Sequence, residues 1–224
     1  MLTLILADSE LELIPEEMID DYAVRKNAKS NGKVAREMLL DSNFMHSSIE
    51  RIFPGESRRR GRPDLVHLFL LTALESIPGK EGNLRVFVHT RNNEVISFNP
   101  EVRIPRAYNR FVGLIEDLFR KRKISSGDKV LMSMESKSLE SLLDSLGDVR
   151  KVLMWPEASI STVSEIIGND REIAFVIGGF SQGDFRSDVS GLTDRHSIFR
   201  DELVVWTVAS EIICGYRSKH SDAR

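Results

Sequence analysis

The stretch IAFVIGGFSQG, residues 173–183, runs five apolar residues straight into Gly178, Gly179 and, after three more residues, Gly183. A continuous apolar run of that length reads as a strand buried on both faces, the kind that parallel sheets use. In an open α/β sheet, ligands bind beyond the carboxyl ends of the strands, and glycine there lets bare backbone approach a ligand. A tight turn needing positive φ is the alternative, and spacing alone does not separate the two. The pattern is not G-x-G-x-x-G, so a Rossmann dinucleotide site is unsupported. Residues 179–183 also match G-x-S-x-G, the nucleophile elbow of serine hydrolases, which needs a helix directly after the serine. Here the polar DFRSDVSGLTD follows and only His196 and His220 come later, so Ser181 is not expected to be a nucleophile.

Working outward, KVLMSM from residue 129, SLESLLDSL, KVLMW and STVSEIIG alternate strand and helix, and DELVVWTVASEIICGY has the length of a buried helix. Such alternation implies a mainly parallel sheet flanked by helices. Upstream, LTLILA (2–7) reads as another buried strand. Ser9 and Glu12 stand at capping-box spacing and predict a helix through LIPEEM. Residues 26–60, broken by Gly32, Pro54 and Gly55, predict short helices and a loop. After Pro63, Leu65, Leu68, Phe69, Thr72 and Ala73 share one face of a helix that stops at IPGKEG. NLRVFVHT and EVISFNP predict a hairpin turning at Arg91-Asn92-Asn93. YNRFVGLIEDLF is amphipathic, and RKRK (120–123) closes it with the charge a helix C-terminus favours. The expectation is one domain over residues 1–224, with roughly 25–125 forming an inserted, hairpin-containing region.

Composition points to an ordinary globular protein: of 224 residues, 41% are hydrophobic and 29% charged. A single cysteine, Cys214, cannot form an internal disulfide, and no apolar run approaches the ~18 residues of a membrane span. The start MLTLILADSE is too short and uncharged for a signal peptide, so a cytoplasmic protein without membrane partners is expected. Five histidines and one cysteine are scattered without paired-ligand spacing, so no metal is expected. His67 is expected beside the core face of its helix, and His89 on a strand.

Net charge is only −3, but it is unevenly spread. Residues 1–123 hold 20 Lys and Arg against 18 Asp and Glu, +2, whereas residues 124–224 hold 11 against 16, −5. SRRRGRPDLVH (57–67) gathers Arg58, Arg59, Arg60 and Arg62 around Asp64; PEVRIPRAYNRFVGL holds Arg103, Arg106 and Arg110 beside Tyr108 and Phe111. Arginine interleaved with aromatics is the composition of RNA contact surfaces, because phosphate attraction follows the local field. A solvated basic helix end is the rival reading.

In order, RGRPD, NPEVRIPRAYNRFVGL, FVIGGF and WTVASEIICGY resemble the archaeal and eukaryotic small-subunit ribosomal-RNA methyltransferases that modify N1 of pseudouridine, members of the SPOUT or α/β-knot class. The resemblance runs from LILADSELELIPEE to the last helix; the usual DSP-[LI]-N after the first long helix reads ESIPGKEG here. It implies a C-terminal trefoil knot, a homodimer, S-adenosylmethionine as cofactor (S-adenosylhomocysteine as product), small-subunit rRNA as substrate and ribosomal proteins as neighbours. By that resemblance Gly178, Gly179 and Gly183 contact the cofactor, and Ser197, Ile198, Phe199, Arg200, Asp201, Glu202 and Leu203 wall the adenine. Arg62, Arg103, Arg106 and Arg110 contact RNA; Arg62 and Asp64 form the catalytic pair, Asp64 either orienting Arg62 or taking the N1 proton. Arg58 and Arg59 are weaker phosphate contacts or solvated. A ribose 2′-O-methyltransferase of the same class and a non-catalytic RNA-binding assembly factor are the alternatives.

Overall fold

The computed structural model describes residues 1–220, which form one mixed sheet of eight strands with helices packed against it. The chain enters through β1 (Leu2–Ser9), then α1 (Tyr22–Ser30), α2 (Ser42–Ile52), α3 (Pro63–Leu74) and the single turn α4 (Ile77–Lys80). The hairpin β2 (Leu84–Thr90) and β3 (Glu94–Phe98), α5 (Tyr108–Lys121), β4 (Lys123–Ser126) and β5 (Lys129–Ser136) follow. The last part holds α6 (Leu139–Asp144), β6 (Arg150–Met154), α7 (Val163–Ile167), β7 (Ile173–Gly178), β8 (Arg195–His196) and α8 (Val205–His220). No helix among the described residues is long and apolar enough to cross a membrane.

The sheet order is β4-β5-β3-β2-β1-β7-β6-β8. The pairs β2–β1, β1–β7, β7–β6 and β6–β8 are parallel; β4–β5, β5–β3 and β3–β2 are antiparallel. KVLMSM therefore belongs to an antiparallel meander with the hairpin, not to the alternating α/β half that its position suggested. Its burial pattern is the reason: a strand covered on one face suits an antiparallel position near an edge.

Both faces of the parallel half are covered, which explains its unbroken apolar runs. Leu2, Leu4 and Leu6 of β1 point into the larger core with Ile173, Phe175 and Ile177 of β7, beneath α3, α5 and α8. Ile5, Ala7 and Val176 point the other way, onto Leu139, Leu142 and Leu143 of α6. A satellite cluster joins α1 and α2 through Val24, Ala28, Met45 and Ile49. In α3 the buried residues are Pro63, Leu65, Val66, His67, Phe69, Leu70, Ala73 and Leu74, whereas Leu68 is exposed and Thr72 half-buried. The buried stripe is thus wider than the expected face and takes in Val66 and Leu70, which belong to the larger core. His67 is buried, its Nε2 2.7 Å from the Pro105 carbonyl and its ring stacked on Phe111 at 4.4 Å. The divergent ESIPGKEG makes a capped turn, with Ser76 Oγ accepting from Gly79 N–H.

The predicted helix through LIPEEM is absent apart from a 3₁₀ turn at Glu16–Met18. Ser9 still belongs to β1 and its hydroxyl donates back to the Leu6 carbonyl, so it caps nothing. Glu10 and Glu12 instead turn inward, both essentially inaccessible to solvent. Glu10 accepts from Arg59 Nε at 2.6 Å and from Arg91; Glu12 accepts from Arg60 through Nε (2.6 Å) and Nη2 (2.9 Å). Arg91 also reaches Glu56 at 3.0 Å. Burying these carboxylates outweighs a weak local capping preference, because each finds a guanidinium with fixed geometry. Glu10→Ala would leave Arg59 and Arg91 buried without their shared partner. We expect it to cost about 3–5 kcal/mol of stability, read as a lower urea midpoint at unchanged m-value.

Candidate functional site

The carboxyl ends of β6, β7 and β8 open onto a cavity of about 430 Å³. Three strand-end segments wall it: Met154–Glu157 after β6, Gly178–Phe185 after β7 (Gly179 excepted), and His196–Val204 around and after β8 (Arg200 excepted). The start of α8, Arg62 just before α3, and Leu65 in α3 close the remaining side. Strand order places these loops together because β7, β6 and β8 are parallel neighbours.

Gly178 and Gly183 line the cavity. A Cβ at Gly178 would stand 2.8 Å from the Phe180 ring, so the glycine lets that ring fold back along the strand end. Gly183 has φ +81, a left-handed conformation that favours glycine. Gly179 does not reach the cavity. A Cβ there would lie 2.5 Å from Ser9 Oγ and 2.7 Å from Ser9 Cα, so its role is close packing of the β7 loop on the end of β1. Ser197, Ile198, Phe199, Asp201, Glu202 and Leu203 all line the wall; Arg200 does not, and pairs outside with Asp201 at 3.2 Å. Ser181 donates its hydroxyl to the Arg58 carbonyl at 2.6 Å and no helix follows it, so it is a wall-forming residue rather than a nucleophile.

Aromatic rings that sequence reasoning did not single out complete the cavity. Trp155 and Phe185 stack at 5.9 Å, Phe180 meets Phe185 edge-on at 5.2 Å, and the guanidinium of Arg59 lies 4.3 Å above Phe180. The position of Trp155 at the end of the KVLMW strand was the available signal, since strand ends face ligands. Arg59 also donates through Nη1 to the Asp184 carbonyl at 2.7 Å, so it is a brace rather than a solvated or phosphate-binding arginine.

A second brace was not visible in the sequence. Asp8 is buried in a left-handed backbone conformation, φ 50, a region that Asp tolerates better than most residues. Its Oδ2 accepts from the backbone N–H groups of Arg186 (2.7 Å) and Ser187 (2.9 Å), and its Oδ1 accepts from the Ser187 hydroxyl at 2.7 Å. His89 packs beside it, with Nδ1 3.2 Å from the Asp8 backbone nitrogen and 3.4 Å from Asp8 Oδ1, and Nε2 3.1 Å from Asn93 Oδ1. Burial alone pushes the Asp8 carboxyl up; the His89 ring and the Ser187 and Arg186 donors outweigh it and hold the group at about 2. The carboxylate so fixes the segment next to Phe185.

On the outer side of the cavity, Arg62 is the residue before α3 and Pro63 opens the helix. Its guanidinium grips Asp64 in a bidentate pair, Nε to Oδ1 and Nη2 to Oδ2, both 2.8 Å. That hydrogen bonding pushes the Arg62 guanidinium up, against the opposing effect of burial. Arg103 and Arg106 lie in the extended run before α5 and Arg110 in its first turn; all three are exposed and form no side-chain ion pair among the described residues. Tyr108 anchors this segment by donating to Asp41 Oδ2 at 2.6 Å, while Asp41 Oδ1 caps α2. Burial, then the Asp41 carboxylate, pushes the Tyr108 phenol up, so it remains a donor.

The family model described as EMG1/NEP1 methyltransferase matches residues 4–217. The chain belongs to the EMG1/NEP1 methyltransferase family. A protein named ribosomal RNA small subunit methyltransferase Nep1 from Thermoplasma volcanium is 51% identical over 216 residues, 96% of this chain and 97% of that protein. The Nep1 of Thermococcus onnurineus is 45% identical over 219 residues, covering 96% and 98%. The crystal structure of Archaeoglobus fulgidus Nep1 bound to S-adenosylhomocysteine superposes with TM-score 0.87 at 32% identity, covering 98% of each chain. The mixed α/β fold described above is shared with that Nep1 structure.

The depressed Asp8 carboxyl has a consequence for stability. Its contribution is complete above the ordinary value of 3.8 and is lost as pH falls through about 2. Asp8→Asn should lower stability by about 2 kcal/mol at neutral pH, and by less as the pH approaches 2. Urea unfolding of both proteins at neutral pH and at pH near 3 checks this.

Proposed function

We propose that this protein transfers the methyl group of S-adenosylmethionine to N1 of a pseudouridine in small-subunit ribosomal RNA. The observation that carries the reading is the junction of the strand-end cavity with the Arg62–Asp64 pair, which puts a charge-fixed guanidinium at the mouth of an aromatic-lined pocket. The cavity suits an adenosyl group: its volume lies in the range of small-ligand sites, and it combines aromatic walls with glycine backbone. Gly178, Gly183 and residues 197–203 other than Arg200 would hold the cofactor, whose sulfonium supplies an activated methyl group. The relatives' names and the S-adenosylhomocysteine in the Archaeoglobus fulgidus structure support this.

The remaining work for the chain is positioning, which can supply much of the acceleration when donor and nucleophile are aligned. Arg103, Arg106 and Arg110, unpaired and exposed, would hold RNA phosphate, with Arg62 reaching the modified nucleotide. The bidentate geometry favours Asp64 as the group that orients Arg62 over Asp64 as a base. We read residues 1–224 as one SPOUT methyltransferase domain in which roughly 25–125 carry the RNA contacts. The C-terminal part would form a trefoil knot, and two copies would work together as a cytoplasmic homodimer.

Two experiments test this reading. In uridine N1 is consumed by the glycosidic bond, whereas in pseudouridine the sugar is attached at C5 and N1–H is free. Methyl transfer is expected to a pseudouridine-containing hairpin and not to the same hairpin with uridine, read by nucleoside mass analysis. Equal transfer to both would indicate a ribose methylase, and transfer to neither a binding factor. In the second, Arg103→Ala, Arg106→Ala and Arg110→Ala should each weaken RNA binding at unchanged cofactor affinity. Each should flatten the salt dependence by about one unit of slope or less; unchanged affinity and slope in all three would mean a solvated helix end.

A further inference from the structure

Beside the strand-end cavity lies a second depression of about 470 Å³, more open to solvent. On one side it is lined by Ser42, Asn43 and His46 of α2, and on the other by Ser57 and Arg58. Its third side, Arg62, Ser181 and Gln182, also lines the cavity, so the two spaces share one wall. The hydrogen bond from Ser181 Oγ to the Arg58 carbonyl, 2.6 Å, ties that wall to the arginine turn.

We propose that this depression receives the nucleoside to be methylated, with Asn43 and His46 contacting its base and Arg58 its phosphate. The proposal rests on the methyltransferase reading above and deepens it. Adjacency is the first argument. Reacting atoms must approach to about 3–3.5 Å before methyl transfer, so the acceptor has to occupy a space that abuts the donor's. Chemistry is the second. The lining is hydroxyl, amide, imidazole and guanidinium, with no aliphatic and no acidic side chain. A uracil-type base presents an imide N–H between two carbonyls, and amides answer both, since each offers donors and an acceptor. Guanidinium suits the adjoining phosphate.

Availability is the third argument. The neighbouring Arg59 and Arg60 are committed to buried carboxylates. The side chains of Asn43, His46, Arg58 and Gln182, by contrast, make no hydrogen bond or ion pair among the described residues. Four polar groups around one hollow are therefore free to meet a ligand. The open mouth is the fourth argument: a nucleotide splayed out of a loop stays joined to RNA on both sides and cannot enter a closed cavity.

The test has a binding arm and a kinetic arm. With S-adenosylhomocysteine present, pseudouridine 5′-monophosphate is titrated while the His46 ring and Asn43 side-chain amide signals are followed by NMR. Both are expected to shift saturably, and signals that stay put overturn the assignment. Because Asn43 and His46 are exposed, Asn43→Ala/His46→Ala should fold normally and keep its affinity for S-adenosylhomocysteine. Its kcat/KM on the pseudouridine hairpin should fall about tenfold or more, with the salt slope of RNA binding left as in the unsubstituted protein. Undiminished kcat/KM in the double variant, beside an active unsubstituted protein, overturns the location alone. An unsubstituted protein that methylates no RNA overturns the methyltransferase reading and this assignment with it.

Discussion

Everything around the site hangs on two buried carboxylates. Glu10 and Glu12 leave β1 pointing inward and draw Arg59, Arg60 and Arg91 after them, joining the end of the central strand, the arginine turn and the β2–β3 turn. Such a cluster is expensive to form and more expensive to leave half-made, because removing one partner strands a charge in a place water cannot reach. Its value is geometric. Arg59 extends the same network to Asp184 and Phe180, so the loop after β7 takes its position from charges on β1. Asp8, two residues before Glu10, fixes the next part of that loop at Arg186 and Ser187.

The arginine run therefore divides its labour within five residues. Arg59 and Arg60 face inward and set the scaffold; Arg58 and Arg62 face the two cavities. Between Arg60 and Arg62, Gly61 takes φ +69 and comes so close to α2 that an added Cβ would lie 3.1 Å from Ser42 N. This contact, with Ser42 N–H donating to the Gly61 carbonyl at 2.8 Å, brings the start of α2 to the arginines. The Asp41–Tyr108 hydrogen bond then brings the Arg103–Arg110 segment to the same corner. Three distant stretches of sequence meet there through two polar contacts.

How much of this could be read in advance follows from how local its cause is. β1, β7, the hairpin and α5 were legible, because a buried strand or an amphipathic helix writes its period into adjacent residues. The strand-end location of the glycine loop was legible for the same reason, whereas the Arg62–Asp64 pair was expected only from the family resemblance. The Ser9–Glu12 spacing misled, since a capping box and a pair of acids bound for buried arginines look identical until the arginines, some fifty residues on, are placed. On α3, Leu65, Phe69 and Ala73 are buried as expected, but Leu68 is exposed and Thr72 only half-buried, while Val66 and Leu70 were missed because the helix buries a broader stripe than one periodic face. Asp8, Phe180 and Phe185 gave no signal at all: their roles depend on loops that meet only in three dimensions. Gly179 was read as facing a ligand when its constraint is Ser9.

The central place of β1 also bears on how the chain reaches this state. Leu2 pairs with Leu84 on one side and with Ile173 on the other, both in parallel. Since β7 follows β1 by more than 160 residues, the second edge of β1 is closed only long after β1 has been made. Loop closure over such distances makes folding slow, and parallel pairing across the chain raises contact order. Until β7 arrives, a row of unpaired backbone groups beside Leu2, Leu4 and Leu6 stays open, the kind of edge on which chains aggregate. For this protein the hazardous interval lies between the synthesis of β1 and that of β7, when a chaperone that covers the β1 edge would do the most good.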